Sequence, residues 1–354
     1  MSRPRWQRPL AFHCLLALGT GMVACDSSNA VPQVEDAGTP VDAPLVPDAS
    51  PIDASVCPCP GTEPLSRQHL IDDWEFGTMG NTNAHVAACP MTTDLPIGGA
   101  CLLSDLTEVS GLVGSTREGN GILGFAYWGC IHSTFAFGHI DVAARCVRPL
   151  DRTGEIPEGC TCPPFETPRD RIFYVQQATT IPAGEITDVA PTCPAGSTLL
   201  SGSCDLDSGA ALIGHGSYAE DQQSWHCSWY GLGGVLEGQA AAICLNPPGP
   251  DAVTGEPVAP EIIEHVYAED MIPANGTRIV DATCAPGDTL LAGGCQVADL
   301  SADLDGLILK RVGMAKPEDN RPNTWQCAWR NPTPTSPKVF AMATCLKPAA
   351  PTTE

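Results

Sequence analysis

The segment 192–247 contains four cysteines, each within a short motif. The motifs are T-C-P-A-G around Cys193, L-L-S-G-S-C ending at Cys204, W-H-C-S-W around Cys227 and A-I-C-L-N-P around Cys244. The same order recurs at Cys284, Cys295, Cys327 and Cys345, and a looser copy lies at Cys89, Cys101, Cys130 and Cys146. Equivalent first cysteines are 104 and 91 residues apart, which indicates three tandem copies of one module. We assign residues 57–149 to module 1, 160–247 to module 2 and 260–348 to module 3.

The composition favours short strands joined by many turns. The chain contains 35 glycines and 34 prolines, and only 6% of its residues are aromatic. A module of this size buries a modest core, so disulfides should contribute much of its stability. We therefore predict an all-β fold of three small, tandem, sandwich-like modules, each stabilised by internal disulfides. Segments 171–177 and 261–271 are predicted strands, although the apolar spacing of the second also fits a helix.

The spacing of the cysteines favours nested disulfides within each module. The separation between the first and second cysteines is 12, 11 and 11 residues, and that between the third and fourth is 16, 17 and 18. The separation between the second and third varies more, at 29, 23 and 32 residues, as expected of a loop tip. The predicted pairs are Cys89–Cys146, Cys101–Cys130, Cys193–Cys244, Cys204–Cys227, Cys284–Cys345 and Cys295–Cys327. Sequential pairing is the alternative.

Two further cysteine pairs precede modules 1 and 2. They are Cys57-x-Cys59 and Cys160-x-Cys162, and module 3 has no equivalent. These cysteines could join modules 1 and 2 to each other or form local bridges, and their spacing does not decide between the two. A C-x-C pair alone does not specify a tetrahedral metal site, so we predict no metal and no cofactor.

A tryptophan lies two residues before the third cysteine of every module. These tryptophans are Trp128, Trp225 and Trp325, and Trp229 and Trp329 extend the pattern to W-x-C-x-W in modules 2 and 3. Residues two apart on a strand share a face, so the tryptophans should pack against the disulfides. In the alternative interpretation, Trp229 and Trp329 form an exposed ledge that contacts a ligand. The neighbouring His132 and His226 are interpreted as exposed polar residues.

The repeated pattern C-P-x-G, G-G-C, W-x-C and A-x-C resembles an uncharacterised module of secreted bacterial proteins. The resemblance covers most of the chain from module 1 to module 3. It implies a fold and an exported location, and it implies no active site.

The N-terminus resembles that of a bacterial lipoprotein. Three arginines precede an apolar stretch that ends in Met22-Val23-Ala24-Cys25, which is similar to a lipobox except that leucine usually occupies the place of Met22. Residues 1–24 are therefore predicted to be the signal peptide and Cys25 the lipidated residue. Residues 25–56 are acidic and rich in proline and alanine, which predicts a disordered tether.

Charge and motifs limit the classes of function. The net charge of −23 would repel a phosphate backbone, so we predict no nucleic-acid partner. No common hydrolase, metalloprotease or nucleotide-binding motif occurs in the sequence. We predict a non-catalytic binding or adhesion protein, anchored by its lipid in the outer membrane or at the cell surface of a Gram-negative bacterium, with a glycan or surface protein as ligand. The alternatives are a secreted hydrolase and a structural envelope spacer.

Overall fold

The computed structural model describes most of the three modules. The described residues are 64–79, 84–91, 93–103, 112–118, 127–132, 138–148, 167–206, 210–250, 255–300, 304, 306–316, 319–321 and 323–348. The predicted signal peptide, Cys25, the tether and the cysteines at 57, 59, 160 and 162 lie outside these residues, so their assignments stay predictions.

Eighteen strands are described, with one short 3-10 helix at Arg67–His69 before the first. In module 1 they are β1 (Leu70–Met79), β2 (Ala84–Ala88), β3 (Leu95–Leu103), β4 (Leu112–Glu118), β5 (Tyr127–His132) and β6 (Gly138–Val147). Module 2 contains β7 (Ile172–Ile181), β8 (Ile186–Val189), β9 (Thr198–Asp205), β10 (Ala210–Tyr218), β11 (Asp221–Gly231) and β12 (Leu236–Leu245). Module 3 contains β13 (Ile263–Met271), β14 (Thr277–Thr283), β15 (Thr289–Val297), β16 (Ile308–Met314), β17 (Thr324–Arg330) and β18 (Lys338–Leu346). The all-β prediction is confirmed, and both predicted flanking segments form strands, β7 and β13.

The strands form three antiparallel sheets of six, and each sheet takes three strands from each of two modules. Sheet I has the order β1-β6-β3-β16-β17-β14, sheet II the order β2-β5-β4-β9-β12-β7, and sheet III the order β13-β18-β15-β10-β11-β8. Modules 1 and 3 thus share sheet I, modules 1 and 2 share sheet II, and modules 2 and 3 share sheet III.

Each module is a sandwich of two three-stranded halves that belong to different sheets. The two disulfides of a module join these halves, and all six bridges have the predicted nested pairing. In module 2, Cys204–Cys227 joins β9 of sheet II to β11 of sheet III, with the two Cα atoms 5.6 Å apart. Six buried disulfides are typical of a chain that folds in an oxidising compartment outside the cytoplasm.

The sandwiches do not stand apart as separate domains. The third strand of each module pairs with the fourth strand of another, through Val312 opposite Cys101, Ser115 opposite Cys204, and His215 opposite Cys295. Because this happens at all three boundaries, the modules close into a ring. The three modules are therefore coupled through shared sheets.

Glycines beside the second cysteines let the tryptophans lie flat on the opposite half of each sandwich. A Cβ atom on any of these glycines would come too close to the tryptophan of its module. The distances would be 2.2 Å from Gly99 to Trp128, 2.3 Å from Gly202 to Trp225 and 2.5 Å from Gly293 to Trp325. No side chain fits at such distances, so the G-G-C and S-G-S-C motifs are explained by this packing. The five tryptophans of the W-x-C motifs are at most 2% exposed, and they form the core with the disulfides.

Candidate functional site

The tryptophans proposed as a ligand ledge are buried and cannot contact a ligand. Trp229 and Trp329 are both 0% exposed. They share a strand face with Cys227 and Cys327, and that face is turned inward by the disulfides. The indole nitrogen of Trp329 donates a hydrogen bond to the carbonyl oxygen of Ile213 in module 2, at 3.1 Å. The ledge interpretation was therefore wrong, and packing against the disulfides is the observed arrangement.

The outer face of sheet III carries a cleft with aromatic walls, at the boundary of modules 2 and 3. Its walls are Tyr218 on β10, Tyr267 on β13 and Phe340 on β18, and all three side chains are half-buried. Its rim consists of Glu220, Glu269, Lys338, Ala219 and Ala298. We call this set of eight residues the aromatic cleft; its volume is about 280 Å³.

Strand alternation explains why these rings face outward. In β18, Cys345 points inward to its disulfide with Cys284, so Ala343, Ala341 and Val339 point inward as well. Phe340 lies on the opposite face, together with Met342 and Lys338. The ring of Phe340 contacts Tyr218 with a centroid distance of 5.4 Å and Tyr267 with one of 6.0 Å, both edge to face. The three rings therefore turn their faces in different directions around the cleft.

Both tyrosine hydroxyl groups direct their protons into the protein. Tyr267 donates to the carbonyl oxygen of Tyr218 at 3.2 Å, and Tyr218 donates to the carbonyl oxygen of Val297 at 3.3 Å. Burial raises the pKa of both phenols, and nearby carboxylates raise it further. The cleft therefore presents neutral rings whose hydroxyl protons are already engaged.

A buried glutamine supports the floor of the cleft. Gln296 is 0% exposed, and its amide nitrogen donates to the carbonyl oxygens of Gly216 at 3.4 Å and His226 at 3.1 Å. Its side-chain oxygen accepts a hydrogen bond from Tyr218 at 3.4 Å. Because these contacts cross from module 3 to module 2, they hold the two walls at a fixed separation.

The place of Phe340 is not aromatic on the other two sheets, although Trp74 on sheet I takes the place of Tyr267. Phe340 lies five residues before the last framework cysteine, where modules 1 and 2 have Asp141 and Gln239. On sheet I, Asp141 is buried and ion-paired with Lys316. On sheet II, Gln239 is exposed to solvent. Phe340 is therefore a departure from the repeat, and such a departure is the sequence signal that could have pointed to the cleft.

A charged cluster adjoins the cleft along β11. His226 lies between two carboxylates, with Nδ1 2.8 Å from Asp188 and Nε2 3.6 Å from Asp221. Burial opposes protonation of the ring, but the hydrogen bond and charge of Asp188 and the charge of Asp221 outweigh it, so the pKa of His226 is raised. The ring also contacts Tyr218 edge to face, with the centroids 4.6 Å apart. His226 is thus half-buried and ion-paired, contrary to the prediction of an exposed polar residue.

This cluster does not align a nucleophile for catalysis. Ser228 donates its hydroxyl proton to Asp188 at 2.6 Å, so it faces the carboxylate and not the free side of the imidazole. Among the described residues, no hydroxyl group forms a hydrogen bond with Nε2 of His226. A charge-relay arrangement would need a nucleophile at that nitrogen.

A second cavity lies where modules 1 and 3 meet, with a volume of about 550 Å³. Its lining includes Leu65, Ile262 and Leu346. Beside it, the buried side chains of Arg171 and Glu261 form an ion pair, and the backbone nitrogen of Leu65 donates to Glu261 at 2.6 Å. Residues of all three modules thus meet at this ion pair, which indicates a structural contact of the ring.

Metal-binding groups, membrane-spanning helices and similarity to other proteins add no assignment for the described part of the chain. Within the part of the chain that the structure describes, no group of three or more His, Cys, Asp or Glu residues could bind a metal ion. No described helix has the length and apolar character needed to cross a bilayer. No protein-family model and no curated protein matches the chain.

Proposed function

We propose that this chain is a lipid-anchored protein of the bacterial cell envelope that binds a ligand non-covalently in the aromatic cleft. The observation that supports the binding site is the presence of three half-buried rings at one of three equivalent places in the ring of modules. Half-buried aromatic side chains retain apolar area that a ligand can cover. The repeated scaffold does not require an aromatic ring at Phe340, which contacts both tyrosines, because its counterparts on the other two sheets are the polar residues Asp141 and Gln239.

The anchoring part of the proposal depends on Cys25 and on the acidic, proline-rich segment that follows it. A lipid-modified Cys25 would fix the N-terminus in a membrane, and an extended tether would carry the folded modules away from the surface. The outer membrane or cell surface of a Gram-negative bacterium is the location we propose, with the lipid as the contact to the membrane. The net charge of −23 favours a partner other than nucleic acid.

The hydrolase and the envelope spacer remain weaker candidates. A hydrolase would have to use the His226 cluster. There, the hydroxyl group of Ser228 donates its proton to Asp188 and is not directed at the imidazole nitrogen of His226. A spacer needs a stiff, closed scaffold, which the ring provides, but it gives no reason for the aromatic cleft on sheet III.

A binding screen with matched variants tests the site. The exported full chain, extracted in a maltoside detergent, is applied to immobilised glycans and envelope polymers. We expect at least one class of ligand to bind the native protein and Gln239→Ala equally, and to bind Phe340→Leu at least ten-fold more weakly. Leucine retains most of the buried contact of Phe340 without its aromatic face. Equal binding by all three proteins would place the ligand elsewhere and reject the cleft.

Fractionation tests the anchor independently of the ligand. Cys25→Ser should move the protein from the membrane fraction to the soluble fraction, because several acyl chains hold a protein on a bilayer and none would remain. Equal incorporation of labelled palmitate into the native and variant proteins would reject Cys25 as the lipidated residue.

A further inference from the structure

The size of the aromatic cleft limits what can bind there. A volume of about 280 Å³ lies just below the range of roughly 300–1,000 Å³ that drug-sized ligands occupy. The cleft therefore suits one small head group or one side chain, and an extended oligosaccharide would lie mostly outside it.

The chemistry of the walls favours a positively charged group. Aromatic rings carry partial negative charge on their faces, and three of them surround this cleft at different orientations. The hydroxyl protons of Tyr218 and Tyr267 are donated to backbone carbonyl oxygens, so they are not directed at a ligand. Apart from Lys338, the walls and rim thus offer acceptors and negative faces.

The charges on the rim add to this preference. Glu269 is ion-paired with Lys338 at 2.6 Å, whereas the exposed Glu220 forms no ion pair with any residue that the structure describes. Burial is the main cause that raises the pKa of Tyr267, and the nearby charges of Glu220 and Asp221 also raise it, so both carboxylates act on a charge placed at this ring. An anionic ligand would be repelled here, and a cationic one attracted.

We propose that the aromatic cleft binds a small organic cation of the alkylated ammonium type, held against the faces of Tyr218, Tyr267 and Phe340 and attracted by Glu220. This inference rests on the proposed function, since it names the chemical class of ligand for the same cleft. The alkyl groups of such a cation would cover the apolar ring area, while its charge would be met by the rings and the carboxylate.

The test compares choline with its uncharged carbon isostere, 3,3-dimethyl-1-butanol. The two have the same shape near the quaternary centre and differ in charge. Each is titrated into the detergent-extracted full chain and followed by calorimetry. We expect saturable binding of choline and roughly two- to thirty-fold weaker binding of the isostere, which is the range that a cation–π contact of about 0.5–2 kcal/mol provides.

Three variants assign that binding to the cleft. Phe340→Leu should weaken choline binding by about ten-fold. Glu220→Gln should weaken it by about three-fold, whereas Lys338→Met should strengthen it, because it frees Glu269. Glu237→Gln is the matched control: Glu237 is exposed and occupies the position in module 2 that Lys338 occupies in module 3, seven residues before the last cysteine. Its removal changes the net charge by the same amount as Glu220→Gln and should leave choline binding unaltered.

The outcomes separate this inference from the proposed function. Equal affinity for choline and the isostere, with both lost in Phe340→Leu, would overturn the cation and keep the cleft as a binding site. The same conclusion would follow if choline did not bind and a neutral glycan bound the native protein more tightly than Phe340→Leu. If choline binds Phe340→Leu and Glu220→Gln as tightly as it binds the native protein, the cation lies at another site and the inference is overturned.

Discussion

The outer faces of sheet III and sheet I occupy equivalent places in the ring, but they carry different chemistry. On sheet III, Phe340 and Tyr218 form aromatic walls. On sheet I, the position of Phe340 is taken by Asp141, which is buried and paired with Lys316. The backbone pairing around both positions is the same, since each lies on the sixth strand of its module, between the first and third strands.

This comparison separates residues that build the scaffold from residues that differ between modules. The tryptophan over a glycine and the nested disulfides occur in all three modules, so they account for the fold. The side chains on the outer faces differ from sheet to sheet, so they are free to serve a particular ligand. Substitutions in the scaffold should therefore have the largest effects on stability.

The largest loss of stability is expected when a shared tryptophan is removed. Trp325→Ala should lower the free energy of unfolding by about 3–5 kcal/mol, because it leaves a large cavity between the two halves of module 3. Denaturant unfolding followed by far-UV circular dichroism would measure it. Phe340→Leu should cost less than about 1.5 kcal/mol, since the side chain is half-buried and most of its volume is kept. Similar losses for the two variants would contradict the division between scaffold and cleft.

Removing one disulfide should weaken the whole ring. With Cys204 and Cys227 both replaced by alanine, the free energy of unfolding should fall by about 2–5 kcal/mol. Because β9 pairs with β4 of module 1 and β10 with β15 of module 3, calorimetry should still show a single transition. A transition for module 2 that separates from those of modules 1 and 3 would show that the shared sheets do not couple the modules.

A buried histidine should make the protein sensitive to acid. Burial lowers the pKa of His215 to about 3, and neither ring nitrogen has a hydrogen-bond partner among the described residues. The unfolded chain binds a proton here below pH 6.5 and the folded protein does not, so stability falls as the pH drops from 6.5 towards 3, by up to about 1.4 kcal/mol per pH unit. His215→Val, which copies Val312 of module 3, should remove the contribution of His215 and leave that of His265, whose pKa burial lowers to about 4. The free energy of unfolding is measured by urea titration at pH 7 and at pH 5. The same loss of stability between the two pH values in the native protein and in His215→Val would reject this account.

A smaller effect of the opposite sign is expected from His226. Its pKa is raised in the folded protein, mainly by Asp188 and Asp221 against the effect of burial. The stabilisation that protonated His226 contributes is therefore complete below about pH 6.5, the pKa of histidine in the unfolded chain. It is lost as the pH rises through the higher pKa of His226 in the folded protein. His226→Gln should be less stable than the native protein at pH 6, by about 1 kcal/mol or less, and nearly equal to it at pH 9. Melting temperatures at the two pH values would show this, and a difference that grows with pH would contradict it.

The sequence predicted the parts of the fold that depend on local pattern. The lengths between cysteines indicated nested bridges, because only the loop between the second and third cysteines varies widely. The two-residue spacing of Trp225, Cys227 and Trp229 placed these side chains on one face, and burial of the disulfide made that face the core. Both arguments use neighbours along the chain, where spacing and side-chain direction are linked.

The ring and the cleft depend on contacts between distant segments. Sheet III continues from module 2 to module 3 because Gly216 and Gly294 permit close approach: a Cβ on Gly294 would lie 2.4 Å from the Cα of Gly216. Glycines are common in turns as well, so this pair could not be recognised from the sequence. The cleft joins Tyr218 of one module to Tyr267 and Phe340 of the next, and no local pattern links these positions.

Fluorine NMR of labelled tyrosines tests the central claim, that the ligand enters the cleft of sheet III, most directly. The chain has five tyrosines, and two of them, Tyr218 and Tyr267, line the cleft. The full chain is labelled with 3-fluorotyrosine, assigned through single Tyr→Phe variants, and titrated with choline and with the glycan or polymer selected by the binding screen. We predict that the resonances of Tyr218 and Tyr267 shift with a common saturation curve while those of Tyr127 and Tyr174, on sheet II, stay in place. Saturable shifts at Tyr127 or Tyr174, with Tyr218 and Tyr267 unchanged, would contradict the account.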